Sequence, residues 1–468
     1  MKTALWWIRR DLRLGDNQAL TAALSRADQV LPVFVLDPEL LKSPYVGKKR
    51  LAFLYGGLNV LDRDLHQRGS YLVIRRGNPI HILSDLCRRL EAVAIFAEAD
   101  HSPYAHRRDR RVTKSLPLHL VEGLTTYSPR EILKPDGMPY KVYAPFNRAW
   151  QDLPWPGGPL PTPLHIPTPA GLESERVPDN QRDSINHPFP AGESEAQRRL
   201  RYFIDGQDAQ IFNYQENRNR LDLQGTSRLS PYLRFGMLSA RQAVAAARQA
   251  ATRAWGQTSR RGVETWLNEI IWREFYLYIL YHFPQVRTAS YRPEMDRIGW
   301  MNQKSEFEAW KEGQTGYPIV DAAMRQLLEM GWNPNRTRMI LASFLTKDLL
   351  IDWRWGERHF MQHLIDGDPA ANNGGWQWIA GSGADAAPYF RIFNPVLQSR
   401  KFDPNGVYIR HFLPELAGVP DKYIHEPWKL PPYLQRNLGC VIGKDYPAPI
   451  VDHAFARKRA LSAYRGKV

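Results

Sequence analysis

The thirteen residues DGDPAANNGGWQW, Asp366 to Trp378, hold two acids, two adjacent amides, a glycine pair and two tryptophans. Carboxylates and amides resist burial unless they are hydrogen-bonded, whereas tryptophan favours it. Gly374 and Gly375 carry no side chain to keep a ligand from the backbone. The stretch is hard to explain as plain scaffold, and something can approach its backbone closely. EF-hand spacing fails, because Ala370 stands at the third ligand position and no glycine follows it.

Three other clusters carry chemistry. At 3.6 residues per turn, Trp266, Glu269, Trp272, Arg273 and Tyr276 share one helix face, and Ile271, Phe275 and Tyr278 the other. A solvated face with an i,i+4 pair between Glu269 and Arg273 is one account. Two tryptophans suit such a face poorly, which favours a lined pocket. In NPNRTRMILASFLTKDLL, Asn335, Arg338, Met339 and Ala342 align opposite Ile340, Leu341 and Phe344, with Pro334 where a helix would begin. Amide, guanidinium and thioether together suit a flat heteroaromatic ligand, although core plus surface gives the same pattern. GTSRLSPYL, Gly225 to Leu233, places hydroxyls and backbone N–H groups around Arg228, as phosphate binding requires and as a helix cap also would.

The elements that must position these groups follow two periods. ALWWI, VLPVFVLD, YLVIRRG, AVAIFAEAD and LHLVEG read as short buried strands separated by helical stretches such as Lys49 to Gln67, which predicts a parallel sheet with helices on both faces. Asp16 is the expected N-cap of the helix through NQALTAALSRA. No GxGxxG follows the first strand, but the carboxyl ends of the strands remain the place for a ligand. From about Trp150 to Asn186 proline and glycine accumulate without apolar period, as in a linker over the surface. Beyond it SEAQRRLRYFI, SARQAVAAARQAATRAW, VETWLNEIIWREFYLYILYHF and IVDAAMRQLLEMG read as helices. The expected organisation is an α/β domain with a doubly wound parallel sheet over 1–130, a linker over 131–195 and an all-α domain over 196–468.

A chain of 468 residues calls for more than one core, and its net charge of +15 points to a polyanionic partner, nucleic acid before membrane. Cys87 and Cys440 have no metal-ligand spacing and suit a reducing compartment; with no apolar run long enough for a signal peptide or a bilayer span, a cytoplasmic location is expected.

WWIRRDLRLGDNQAL, GTSRLSPYLRFG, WLNEIIWREFY, NRTRMILASFLTKDLLIDW and DGDPAANNGGWQWIAGSGADAAPYFRIFNP together resemble the photolyase/cryptochrome family, specifically its class I cyclobutane pyrimidine dimer photolyases. The resemblance spans nearly the whole chain. It implies that the helical domain binds one FAD. By motif position Tyr214, Thr226, Ser227, Arg228, Leu229 and Ser230 would hold the pyrophosphate region. Trp266, Arg273, Trp332, Arg338, Asp366 and Asp368 would contact the rest of the cofactor, and Asn372 would face flavin N5. A neutral amide there can accept from N5 or donate to it without adding charge; plant cryptochromes carry aspartate at that position, so Asn372 favours repair.

The implied substrate is a pyrimidine dimer in single- or double-stranded DNA. Photolyases are among the enzymes that extrude their target base, and that step comes from the family. By the same analogy Glu269 would hydrogen-bond the dimer, Trp272 and Trp378 would pack on its faces, and Asn335 with Met339 would complete the pocket. Histidines at the helix of Asn335, expected of the (6-4) branch, are absent. The implied reaction passes an electron from light-excited reduced FAD to the dimer and back, without metal or nucleophile. Trp376, Trp353 and Trp300 match the family's electron-transfer chain. Arg336, Arg391 and Lys401 are the expected DNA contacts. A second, antenna chromophore would lie in the amino-terminal domain. HSPYAHRRDRRV has Tyr104 and Ala105 where a folate site would have Asn and Glu, so a deazaflavin or FMN is expected before folate. A cryptochrome, a light sensor without catalysis, is the rival reading; such sensors often carry a carboxyl-terminal extension, and here only FARKRALSAYRGKV follows the family core. A monomer without membrane attachment is expected.

Overall fold

The computed structural model describes residues 1–178 and 188–465. They form two compact units. The first comprises 1–213, 227–284 and 365–370, the second 214–226, 285–364 and 371–468.

In the first unit the five expected strands form: β1 (Thr3–Ile8), β2 (Gln29–Leu36), β3 (Val73–Arg76), β4 (Ala94–Glu98) and β5 (Leu118–Val121). They pair in parallel in the order β3-β2-β1-β4-β5, with Leu5 in register with Leu31 on one side and Ile95 on the other. Parallel strands covered on both faces have no solvated side, which is why β1 and β4 are buried at every position. Helices follow the first four strands: α1 (Gln18–Arg26), α2 (Lys48–His66), α3 (Pro79–Leu90) and α4 (Pro103–Thr113). Leu83, Leu86 and Val112 join Leu5, Trp7, Leu31, Val33 and Ile95 in one apolar core.

Two expectations are corrected here. Asn17, not Asp16, caps α1: its Oδ1 accepts from the backbone N–H of Leu20 at 2.9 Å. Asp16 adopts a left-handed φ of 50° and turns its carboxylate to other donors, the backbone N–H of Leu160 at 2.9 Å and the hydroxyl of Ser239 at 2.6 Å. A long-range pair of donors thus outcompetes the local cap. Nor is 131–195 a plain surface linker. It contains α5 (Tyr143–Asp152), which buries Phe146 and Trp150, and it sends Ile166 and Phe189 into fully buried positions; residues 179–187 of that segment lie outside the described residues.

The unit is completed by α6 (Glu193–Ile204), α7 (Ala240–Arg253) and the long α8 (Gly256–His282). Ser239 and Gln242 close a reciprocal capping box at the start of α7.

The second unit is helical. Its core gathers Trp310, Met324, Leu327, Ile340, Leu341, Leu345, Trp353, Phe360 and Trp376, contributed chiefly by α9 (Pro318–Met330), α10 (Asn335–Ser343), α11 (Trp353–His363) and α12 (Ala371–Ala380). Two further helices of this unit are α13 (Pro395–Phe402) and α14 (His453–Arg465). The chain leaving α10 widens after Ser343 into one turn over Phe344–Asp348, closed by an i to i+5 bond from Leu349 N–H to Phe344 O at 3.0 Å. No helix among the described residues is long and apolar enough to cross a membrane.

Candidate functional site

The expected site residues divide between the units. In the first, α8 has the two faces its spacing predicts: Ile271, Phe275 and Tyr278 are buried, while Glu269, Trp272, Arg273 and Tyr276 stay partly accessible. Trp266 is buried, and its indole N–H reaches Ser227 Oγ at 3.3 Å, tying the hydroxyl-rich segment to the helix. Trp272 is stacked flat on Tyr143 of α5, with centroids 3.7 Å apart and planes within 8°. Burial, then the neighbouring Glu269 carboxylate, pushes the Tyr143 hydroxyl well above its ordinary pKa. Periodicity does not suggest Tyr143, because it lies in the segment read as linker.

Arg273 donates to the carbonyls of Leu124 and Leu233 at 3.1 and 3.2 Å. Asp368 accepts from Arg10 at 2.5 Å and from the backbone N–H of Ala370 at 2.8 Å, with Arg234 3.7 Å away. Arg234 also donates to Gly367 O at 2.8 Å. Burial opposes ionisation of Asp368, but Arg10, Arg234 and Arg273 outweigh it and hold the carboxyl at about 2. Arg234 is pushed down to about 9 by burial and by Arg10. Asp100, 3.7 Å from Arg10, is the other acid of the group. Arg10, Arg234 and Arg273 are withdrawn from solvent around Asp368 and Asp100, with Glu98 and Glu274 also acting on Arg10 and Arg273, a dense buried network of charge-assisted hydrogen bonds. Arg10 and Arg234 escape the sequence reading because nothing in their local spacing marks them; only the fold places them on Asp368. Arg228 takes a left-handed φ of 51° beside Ser227, Leu229 and Ser230, and burial lowers its pKa. Thr226 and Tyr214 belong to the second unit.

The sheet presents a second feature. Beyond the carboxyl ends of β2 and β3, a cavity of about 170 Å³ is lined by Asp37, Asn78, Tyr104, Arg107, Arg108 and Arg111, the last four sharing one face of α4. Tyr104 donates its hydroxyl to Asp37, and Arg108 lies over the Trp7 ring at 4.6 Å.

In the second unit, Asn335 is exposed and Met339 half-buried on α10, while Arg338 donates to Asn333 O at 2.9 Å and Trp332 is buried. Trp376 and Trp353 sit in one core, with Trp300 and Trp378 partly buried against it. Trp376 is edge-on to Phe360 at 5.0 Å and to Trp310 at 6.1 Å. Asn372 donates from its amide nitrogen to Glu357 twice, to the backbone carbonyl at 3.0 Å and to the carboxylate at 3.1 Å.

The three basic residues expected at DNA, Arg336, Arg391 and Lys401, line a single cavity of about 350 Å³ with Phe393 and Phe402. Arg336 lies 4.4 Å over the Phe402 ring and donates to Asn219 Oδ1 at 3.1 Å. Burial, then Arg218 and Arg391, lowers its pKa to about 10. Cations interleaved with aromatic rings are a surface for phosphates and bases together.

Against known proteins, residues 4–166 match the family model for DNA photolyase and residues 266–466 the model for the FAD binding domain of DNA photolyase. The chain belongs to the DNA photolyase family, a family of enzymes, and FAD is the cofactor of its carboxyl-terminal domain. It is similar to the deoxyribodipyrimidine photo-lyase of a Synechococcus strain, 41% identical with 98% of this chain and 96% of the relative covered. It is also similar to a bacterial class III photolyase from Agrobacterium tumefaciens of known crystal structure (36% identical, TM-score 0.92, 100% and 98% covered) and to a cryptochrome from Synechocystis (28%, 0.90, 99% and 99%). In the first unit, the hydroxyls beside Arg228 suit a charged pyrophosphate. In the second, the open space at Gly375, where an added Cβ would meet nothing within 4 Å, suits a flat ring.

Proposed function

We propose that this chain is a class I photolyase that repairs cyclobutane pyrimidine dimers in DNA under light. The observation that carries the reading is the face of α8, where Trp272 is held flat on Tyr143 beside Glu269: a rigid aromatic plane next to a hydrogen-bonding acid is what an extruded pair of fused bases needs. Glu269 hydrogen-bonds the dimer, Trp272 and Trp378 pack on it, and Asn335 and Met339 complete its pocket. Tyr214, Thr226, Ser227, Arg228, Leu229 and Ser230 hold the pyrophosphate of FAD; Trp266, Arg273, Trp332, Arg338, Asp366 and Asp368 orient the remainder, and Asn372 faces N5. When bound and reduced, FAD supplies the light-driven electron that opens the cyclobutane ring and receives it back. Trp376, Trp353 and Trp300 carry electrons inward when the cofactor is oxidised, a role that the burial of Trp376 and Trp353 and the partial exposure of Trp300 support. Arg336, Arg391 and Lys401 grip the strand.

The cavity at Tyr104 supports an antenna, a deazaflavin or FMN before folate, and its three arginines suit anionic groups of that chromophore. The protein acts as a cytoplasmic monomer.

The test irradiates the reduced protein with a thymine-dimer oligonucleotide and follows the return of intact-thymine absorbance. Repair is expected, and Glu269→Ala should slow it by one to two orders of magnitude, the cost of about 1–3 kcal/mol for a lost desolvated hydrogen bond, while flavin absorbance stays. Loss of flavin from that variant would overturn the assignment of the helix face. The likeness to the Synechocystis cryptochrome favours a light sensor as second reading; light-driven flavin reduction with no repair at all would select it.

A further inference from the structure

The cavity of about 350 Å³ in the second unit holds more than cations. Its size falls within the range of small-ligand pockets, roughly 300–1,000 Å³. Gln398, Lys401 and Phe402 line it from one face of α13, at the spacing of helical neighbours. Behind that face the buried Ser399 hydroxyl meets His425 Nδ1 at 2.7 Å, which fixes the rotation of the helix. Arg336 of α10 is itself held, by Asn219 and by the Phe402 ring, so its planar guanidinium is presented in one orientation. Bases stack on guanidinium planes as they do on aromatic rings. Gln398 is the odd member: its Oε1 is buried with no hydrogen-bond partner among the described residues. An acceptor so placed has lost water without gaining a donor. Turning the terminal amide into the cavity, about a soft torsion, forfeits no bond at that oxygen.

We propose that this cavity takes an undamaged base, the adenine left without a partner when a thymine dimer is extruded. This rests on the reading of the chain as a dimer-repair enzyme. Extrusion leaves the adenines opposite the dimer unpaired. A glutamine amide matches adenine with two hydrogen bonds, Oε1 accepting from N6–H and Nε2 donating to N7. Guanine offers O6 and N7, two acceptors, so the amide oxygen would stay unpaired against it. The adenine ring stacks on Arg336, and Arg391 and Lys401 meet the flanking phosphates. Arg336 lies between Asn335 and Met339 on α10, the two residues of that helix assigned to the dimer, so one helix contributes to both pockets.

Fluorescence anisotropy in the dark compares the full-length holoprotein on two duplexes, a thymine dimer opposite adenines and the same dimer opposite 7-deazaadenines. The analogue pairs with thymine as adenine does but carries carbon at position 7. Wild-type protein should bind the analogue duplex about fivefold more weakly, the loss of one hydrogen bond, and should bind undamaged duplexes with and without the analogue alike. Gln398→Ala should remove the difference, and so should Gln398→Glu, which keeps the shape and an acceptor but has no N–H for N7. Equal wild-type affinity for the two dimer duplexes, or the same difference on undamaged DNA, overturns the adenine pocket without recourse to any variant. A difference that persists in both variants means that another group reads N7, and the assignment of Gln398 fails. A protein that binds no dimer duplex more tightly than undamaged DNA overturns the dimer-repair reading itself, and this proposal with it.

Discussion

Asp368 shows how much one side chain carries when its neighbours are all of opposite sign. Its carboxylate stands between Arg10 and Arg234, and the pair it forms with Arg10 is buried. Removing one partner of such a group leaves uncompensated buried charge. Asp368→Asn should therefore lower unfolding free energy by ~3–5 kcal/mol in urea titrations near neutral pH. The sign with pH follows from the depressed carboxyl, held at about 2 in the folded chain against an ordinary value near 3.8. Its contribution is complete above the ordinary value and is lost as pH falls from about 4 through about 2, so the gap between wild type and variant should narrow over that window. A gap that widened there would refute the assignment. At this scale the sequence is half legible. Glu269, Trp272 and Arg273 can be read from one helical period. Arg10, Tyr143 and Glu357 cannot, because each meets its partner only through the fold: Arg10 lies 358 positions from Asp368.

At the scale of elements, the pairing of α11 with α12 depends on an absent side chain. A Cβ built on Gly356 would meet the Trp376 ring at 2.1 Å, with Leu345 at 2.7 Å on the same site. Alanine is intrinsically the better helix former by ~1 kcal/mol, but Trp376 is braced by Phe360 and Trp310 and has nowhere to go. Overpacking of this kind costs ~1–3 kcal/mol, so Gly356→Ala should lower the thermal midpoint by about 1–3 °C and slow light-driven reduction of oxidised flavin by displacing Trp376. Unchanged stability with a normal reduction rate would argue against a close fit. Strands and long helices are legible because their periods repeat. The cap at Asn17, the wide turn at Phe344–Asp348 and α5 are not: the first two are set by which distant groups compete for the backbone, and α5 is short and flanked by proline-rich sequence that masks it.

For the whole molecule, a net charge of +15 sets the long-range attraction to DNA, while the cavity at Phe402 gathers three basic residues in one place. Each phosphate neutralised contributes about 0.9 to the slope of log K against log salt. Lys401→Ala should weaken binding to damaged and undamaged DNA alike and reduce that slope by about 0.9, measured by fluorescence anisotropy across a salt series. An unchanged slope would remove Lys401 from the interface. Composition alone suggests the polyanion; it cannot say that Arg336, Arg391 and Lys401 share a wall.

The segment 365–370 belongs by its packing to the amino-terminal unit, although residues 285–364 of the other unit precede it. Synthesis on the ribosome runs at about 5–20 residues per second, so roughly 12–50 s pass between completion of the last strand at Val121 and the arrival of the peptide carrying Asp368 that pairs with Arg10. Until then Arg10 lacks its nearest carboxylate and has only the more distant Asp100 and Glu98, so chaperone engagement and stalled-chain vulnerability become a matter of translation speed through the intervening codons.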